Sequence, residues 1–251
     1  MKRPYKLLLE RPYANRACFI HAVGDESEIR RYGVTAPIVD IPNGFDPHSI
    51  PQVFDTGAIE ARVPSFGGKK VFVYIGRLDV EQKGLDHLLE ACARLDDPSD
   101  EIRVLLVGPS WKDGAARLQS MAADLQLGDR VHFWGSAYGV EKYDILRAAY
   151  AFIQVSRWEG FSFSVIDALA CGKPCILTRE ADPNGLVEQH AAGEIVAGDP
   201  PSIAEGLQAV ARLTEEMRVD WAGREKEIVA GLNWQTIGLQ LIEAYRRCRG
   251  E

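Results

Sequence analysis

The sequence predicts an α/β fold: a doubly wound parallel sheet with helices packed on both faces. Two patterns carry this reading. From residue 70 onward, short β-branched runs alternate with amphipathic helical stretches, the pattern of repeated strand–helix units. Most of the strand candidates are also nearly all apolar, as strands covered on both faces must be. Composition agrees, since 46% of the 251 residues are hydrophobic and 26% charged. Mean hydropathy is −0.14, as expected of a soluble globular chain.

The predicted strands are 70–75, 102–107, 130–134, 151–155, 174–178 and 194–196. Between them the apolar spacing predicts helices over 84–95, 112–125, 140–150, 162–171 and 184–190. Residues 202–249 read as helix with breaks near Leu213 and Gly231. Ahead of residue 70 the pattern thins. Residues 2–16 look helical, 17–23 and 37–41 read as strands, and Asp25 followed by Glu28 resembles a capping box for a helix ending near Tyr32. Prolines at 42, 47, 51 and 64, with several glycines, make 42–69 a linker. About two strands cannot sustain a sheet with its own core. The expected organisation is therefore 1–41 as the remnant of a domain, 42–69 as linker, 70–232 as a complete α/β domain, and 233–251 as a helix packing back toward the N-terminal part.

Charge and cysteine content exclude several classes. A net charge of −7 argues against non-specific nucleic-acid binding, which needs a basic face. No apolar run reaches the roughly 18–20 residues of a membrane span. The N-terminal apolar run, Leu7 to Leu9, is too short for a signal-peptide core. Five scattered cysteines disfavour a disulfide framework and suit a reducing cytosol, so the expected location is cytoplasmic. Residues 1–31 carry seven cations against four acids, which leaves peripheral contact with an anionic membrane as an alternative to a helix packed on a further domain.

The densest chemical signal is Ser156-Arg157-Trp158-Glu159-Gly160-Phe161-Ser162-Phe163-Ser164-Val165-Ile166-Asp167. It follows a buried strand and opens a helix, where free backbone N–H groups and the helix dipole favour anions. Glu159 and Asp167 flank that turn, and each carboxylate can accept hydrogen bonds from neighbouring hydroxyls of a phosphorylated, polyhydroxylated ligand. The plain alternative is a solvated Glu and a helix-surface Asp. The apolar neighbours of Asp167 argue against it. The second signal is Gly76-Arg77-Leu78-Asp79-Val80-Glu81-Gln82-Lys83-Gly84 after the 70–75 strand. Lys83 at a helix start opposes the macrodipole, a broken local rule of the kind enriched at functional positions. Two cations at one mouth would neutralise a diphosphate, although each alone reads equally as a surface charge.

These segments, with Pro42-Asn43-Gly44-Phe45-Asp46, Val107-Gly108, Val131-His132-Phe133-Trp134-Gly135 and Gly172-Lys173-Pro174, resemble in order and spacing the donor-binding half of retaining GT-B glycosyltransferases of family four, over roughly residues 15–249. The resemblance implies the C-terminal, Rossmann-like domain of a GT-B fold with an incomplete N-terminal domain. It implies transfer of a sugar from a nucleoside diphosphate sugar, with retention, to a glycan, lipid or small-molecule acceptor. Arg77 and Lys83 would bind the diphosphate, and Glu159 would contact the transferred sugar. Gly160 and the backbone of Phe161, Ser162 and Phe163 would meet sugar hydroxyls or phosphate, and Asp167 would hold the ribose. Asp167 is one methylene shorter than the Glu of the family pattern. Ser162 stands where the family often has Gly. The base would sit near Ser136 to Tyr138. Catalysis would rest on Arg77, Lys83 and Glu159, with no metal expected because no Asp-x-Asp is present and the cations replace one.

Other templates fail. No G-x-G-x-x-G follows a strand, Gly67-Gly68-Lys69-Lys70 lacks Walker A spacing, and no G-x-S-x-G occurs. The five histidines are dispersed. Trp111, Trp134, Trp221 and Trp234 read as packing residues, leaving Trp158 alone in a candidate site. Cys171 and Cys175 read as buried small hydrophobes. Two further readings stay open: a nucleotide-sugar-binding half that needs a separate acceptor-side chain, and a nucleotide-sugar epimerase.

Overall fold

A computed structural model of the chain describes residues 10–24 and 26–250. The chain divides into two compact units, Met1–Asp46 with Gly231–Glu251, and Pro47–Ala230.

In the smaller unit, β1 (Ile20–Ala22) pairs in parallel with β2 (Ile38–Asp40). Two short helices, α1 (Arg11–Ala14) and α2 (Ser27–Arg31), accompany them. The expected helix over 2–16 is seen only as α1, its first residues lying outside the described ones, and so does the Asp25 of the expected capping box. The C-terminal helix of this unit runs Trp234–Arg249. Asn233 caps its start by accepting from the Thr236 N–H at 2.9 Å, and Gly250 ends it in the left-handed conformation. Cys18 and Cys248 are joined as a disulfide, their Cα atoms 5.8 Å apart. This corrects the expectation from the cysteine count: a separation of 230 residues hid the pair. Cys171 and Cys175 are free and buried, as their surroundings implied.

The larger unit holds six parallel strands in the order β5-β4-β3-β6-β7-β8. They are β3 (Lys70–Ile75), β4 (Ile102–Val107), β5 (Val131–Gly135), β6 (Ala151–Gln154), β7 (Cys175–Thr178) and β8 (Gly193–Val196). This is the doubly wound, Rossmann-like order, and winding reverses between β3 and β6, where such sheets open a ligand crevice at the carboxyl ends of the strands. All six residues of β4 and five of six in β3 are buried, which explains why these segments read as continuous apolar runs. Phe72, Tyr74, Leu105, Leu106, Phe152 and Ile153 are fully enclosed.

The helices of this unit in chain order are α3 (Ala58–Arg62), α4 (Leu85–Ala93), α5 (Gly114–Asp124), α6 (Gly139–Ala148), α7 (Phe163–Ala170), α8 (Leu186–Gln189), α9 (Pro200–Ala211) and α10 (Glu215–Gly231), with α11 the C-terminal helix Trp234–Arg249 of the smaller unit. The stretch 42–69 is not featureless: it carries α3 and buries Ile59, Val63 and Phe66. Beneath α10, Lys173 Nζ donates to the carbonyls of Arg147 and Ala149, both at 2.7 Å. Burial and Arg218 push this ammonium down to about 8. Glu225 is fully buried, its carboxylate oxygens have no hydrogen-bond partner among the described residues, and burial pushes its carboxyl up to about 8 against the pull of Lys173.

Candidate functional site

The loop after β3 is held close to its neighbours by glycines. At Gly108 a side chain would bring its Cβ within 1.8 Å of the Gly76 carbonyl oxygen. At Gly84, the N-cap of α4, φ is +64° and a Cβ would lie 2.2 Å from the carbonyl oxygen of Val155. The β3 loop therefore touches the chain beyond β6 through bare backbone. Arg157 completes the junction, donating to the carbonyl of Glu81 at 2.8 Å and forking onto Asp86 at 2.9 and 2.8 Å. These contacts tie the two loops together at the reversal point of the sheet, where such folds open their crevice.

Arg77 lies over the Trp111 ring, 4.5 Å from its centroid, and donates to Gln82 Oε1 at 3.1 Å. Its carbonyl accepts from the Tyr74 hydroxyl at 2.7 Å, and burial, then the charges of Glu159 and Asp79, raise that phenol well above its ordinary value. Lys83 crosses the cleft and donates to Glu159 Oε1, with side chains only 13% and 10% exposed. The same oxygen accepts from Gln154 Nε2 at 2.8 Å and Ser156 Oγ at 2.6 Å. Ser162 Oγ donates to Gln154 Oε1 at 2.9 Å. That contact explains Ser162: it is the N-cap of α7, yet its hydroxyl makes no capping bond, so the first N–H groups of the helix are left uncapped by it.

Asp167, one turn further along α7, is 7% exposed. Its Oδ2 accepts from Lys142 Nζ at 2.7 Å and its Oδ1 from the Tyr143 hydroxyl at 2.8 Å. Burial pulls the Lys142 ammonium down, but its hydrogen bond and charge interaction with Asp167 outweigh this and raise it. Burial and the Asp167 charge also raise Tyr143.

The structure thus brings Lys83 and Glu159 into contact, sets Arg77 in the same loop as Lys83, and turns Asp167 toward α6. Gly160 and Phe163 are exposed, Phe161 and Phe163 meet edge to face at 5.2 Å, and Ser136 is exposed after β5. Gln154, Ser156, Lys142, Tyr143 and Arg157 were not singled out by their chemistry. Gln154 carried one usable signal, an amide inside an otherwise apolar strand, which must find partners. Trp111 is corrected from packing residue to site residue. It is 45% exposed, and with Asp79, Arg117 and Trp158 it lines a cavity of about 160 Å³ between the loops after β3 and β4. A larger cavity, about 880 Å³, lies instead in the smaller unit, lined by residues including Phe19, Val39 and Ala244, and holds none of this chemistry.

Residues 55–227 match the profile of the family described as glycosyl transferases group 1. The D-inositol 3-phosphate glycosyltransferase of Corynebacterium urealyticum is 28% identical over 94% of this chain and 60% of its own length. The phosphatidyl-myo-inositol mannosyltransferase of Mycobacterium leprae is 26% identical over 82% of this chain and 53% of its own. Among solved structures, Anabaena HepE in complex with UDP superposes with a TM-score of 0.83 at 21% identity, covering 98% of this chain and 68% of that one. The chain spans about 60% of the length of the first of these curated relatives.

Proposed function

The chain belongs to the glycosyl transferases group 1 family, and from that membership we propose that its larger unit binds a nucleoside diphosphate sugar and donates the sugar to an acceptor with retained configuration. The observation that carries this reading is the cleft at the sheet reversal. There Lys83 meets Glu159, Arg77 stands in the same loop, and the uncapped start of α7 follows. The hard step is departure of the diphosphate from an oxocarbenium-like sugar carbon. Charge gathers on the leaving phosphate, and preorganised cations and helix N–H groups stabilise charge that develops at that point. Arg77 and Lys83 serve the diphosphate. Glu159, held by Gln154 and Ser156, meets the transferred sugar, with Gly160 to Phe163 beside it. The base lies along Ser136 to Tyr138. No bound metal is invoked.

Titration with UDP and GDP tests this. One of them binds, and Arg77→Ala and Lys83→Ala each weaken it at least tenfold; equal affinity in both variants would sink the assignment.

A second reading is that transfer requires an acceptor-side half besides these residues. The 60% share of the relative favours it. Donor binding without turnover, restored by adding such a half, supports this reading. Turnover by the chain alone refutes it. Peripheral membrane placement is a further proposal, resting on the basic N-terminal segment; among the described residues no helix is long and apolar enough to cross a membrane.

A further inference from the structure

Beside the donor cleft lies a smaller hollow whose walls the donor-binding reading leaves unused. It holds about 160 Å³ and is walled by Trp111, Trp158 and the segments around Asp79 and Asp113. Pockets for drug-sized ligands run to roughly 300–1,000 Å³, so this one admits a single ring rather than a nucleotide. Backbone holds the walls in place. Leu78 and Ser110 form a β-bridge, and the Leu78 N–H donates to the Pro109 carbonyl at 2.8 Å. Lys112 is kept in the left-handed conformation at φ +53°, where its carbonyl accepts from the Ser110 hydroxyl at 3.0 Å. The side chains, by contrast, are idle within the chain. Trp111 and Trp158 are 45% and 54% exposed, and neither indole N–H has a partner among the described residues. Asp113 is the N-cap of α5 and of a residue type that ordinarily caps, yet its carboxylate makes no capping bond. Glu81, Lys112 and Arg117 form no ion pair or side-chain hydrogen bond among the described residues.

Three acids, Asp79, Glu81 and Asp113, line the hollow with two cations, Lys112 and Arg117, a balance that disfavours a phosphate. A pyranose suits these walls. Its C–H faces pack on indoles, while its rim hydroxyls both donate and accept and so engage carboxylate and guanidinium together. Resting on the donor-binding reading above, we propose that the acceptor is a glycoside and that this hollow holds one of its pyranose rings, packed against Trp111 and Trp158 with Asp113 and Arg117 on its hydroxyls. The position is apt for an acceptor. Arg77 lies over the Trp111 ring at 4.5 Å, and Trp158 immediately precedes Glu159. A ring bound here adjoins both the cation assigned to the leaving diphosphate and the acid assigned to the transferred sugar.

Heteronuclear NMR of the whole chain tests this by following the indole N–H signals, assigned with Trp111→Phe and Trp158→Phe, during titration with the methyl pyranosides of glucose, mannose and galactose. At least one glycoside should shift both signals saturably while those of Trp134, Trp221 and Trp234 stay in place. Asp113→Ala and Arg117→Ala should each weaken that binding about fivefold or more, and Glu159→Gln should leave it within about twofold. Thermal melts of the same variants report folding separately. If none of the glycosides moves the two indoles, the proposal is overturned, and unchanged affinity in both Asp113→Ala and Arg117→Ala overturns it equally. A loss in Glu159→Gln with none in Asp113→Ala would do the same, because it seats the ring at the transferred-sugar position. These titrations contain no nucleotide, so they succeed or fail independently of the UDP and GDP affinities that decide the donor-binding reading.

Discussion

Lys83→Ala should cost more donor affinity than Arg77→Ala, because it removes two things at once. One is a charge-assisted hydrogen bond to phosphate, worth about 1.5–3 kcal/mol. The other is the counter-charge of Glu159, in a pair whose side chains are 13% and 10% exposed. The stranded carboxylate then faces the diphosphate. With a separation of roughly 5 Å and an effective dielectric of about 20, each pair of unit charges repels by about 3 kcal/mol. Together these give about 4–6 kcal/mol, a loss on the order of 10³–10⁴ in Kd. Arg77, stacked on Trp111 and bonded to neutral Gln82, leaves no buried acid behind, so its loss is confined to about 10–100-fold. Adding Glu159→Gln to Lys83→Ala removes the repulsion while an amide oxygen still accepts from Gln154 and Ser156, so roughly 100-fold should return. Calorimetric titration of the single and double variants with the tighter-binding nucleotide reads all three values. A double variant no better than Lys83→Ala, or an Arg77→Ala loss exceeding that of Lys83→Ala, would refute the reasoning.

Two further outcomes follow from particular contacts. Folded Glu225 keeps its proton up to about 8 against an ordinary 4.5, so stability should be greatest below pH 4.5 as far as this group is concerned. It should decline by about 3–5 kcal/mol as pH rises to 8, and Lys173, pushed down to about 8 from 10.5, should return part of it between pH 8 and 10.5. Glu225→Gln should flatten the decline, and parallel melting curves for variant and wild type between pH 5 and 8 would rule the mechanism out. Gln154→Leu deletes a 2.8 Å bond to Glu159 and strands Ser162, so binding of UDP-glucose or GDP-mannose, whichever the chain accepts, should weaken about tenfold with little change for the bare diphosphate. Equal losses for both ligands would show that Gln154 supports the fold rather than the sugar-facing acid.

Strands 70–75 and 102–107 are legible residue for residue because a strand buried on both faces leaves an unbroken apolar run. Most of the other strands shift by one residue at their ends, where pairing rather than composition decides, and the strand expected over 17–23 is only Ile20–Ala22. Register is the clearest instance: Val107 pairs with Gly135 across an irregularity after Leu106, which no local pattern announces. Residues 42–69 misled for the opposite reason. Ile59, Val63 and Phe66 are buried from a short helix and a single 3₁₀ turn, too brief to show a period, while the prolines dominate the composition. In the cleft, Arg77, Lys83 and Glu159 came forward as candidates only through the order and spacing of several segments together, since the loop 76–84 holds two acids and two cations and each cation alone reads equally as a surface charge. Their supports did not come forward. Lys142 lies 25 residues before Asp167, and only the fold brings α6 beside α7.

The supports also explain how a site closed upon itself can still admit a ligand. Lys83 is paired with Glu159, and on the donor-binding reading a diphosphate must compete for its charge. If Lys83 were the only partner, its departure would leave a nearly buried carboxylate unsatisfied, at a cost comparable to the phosphate bond gained. Glu159 is instead also held by the Gln154 amide and the Ser156 hydroxyl, neutral donors that do not repel an approaching sugar and are too firmly buried to follow Lys83 away. Ser162 fixes the Gln154 amide so that its NH₂ group, not its oxygen, faces the acid. The lysine can therefore be shared between acid and phosphate while the acid stays in place, and the polar residues planted in the core at Gln154, Ser156 and Ser162 are the condition for that exchange.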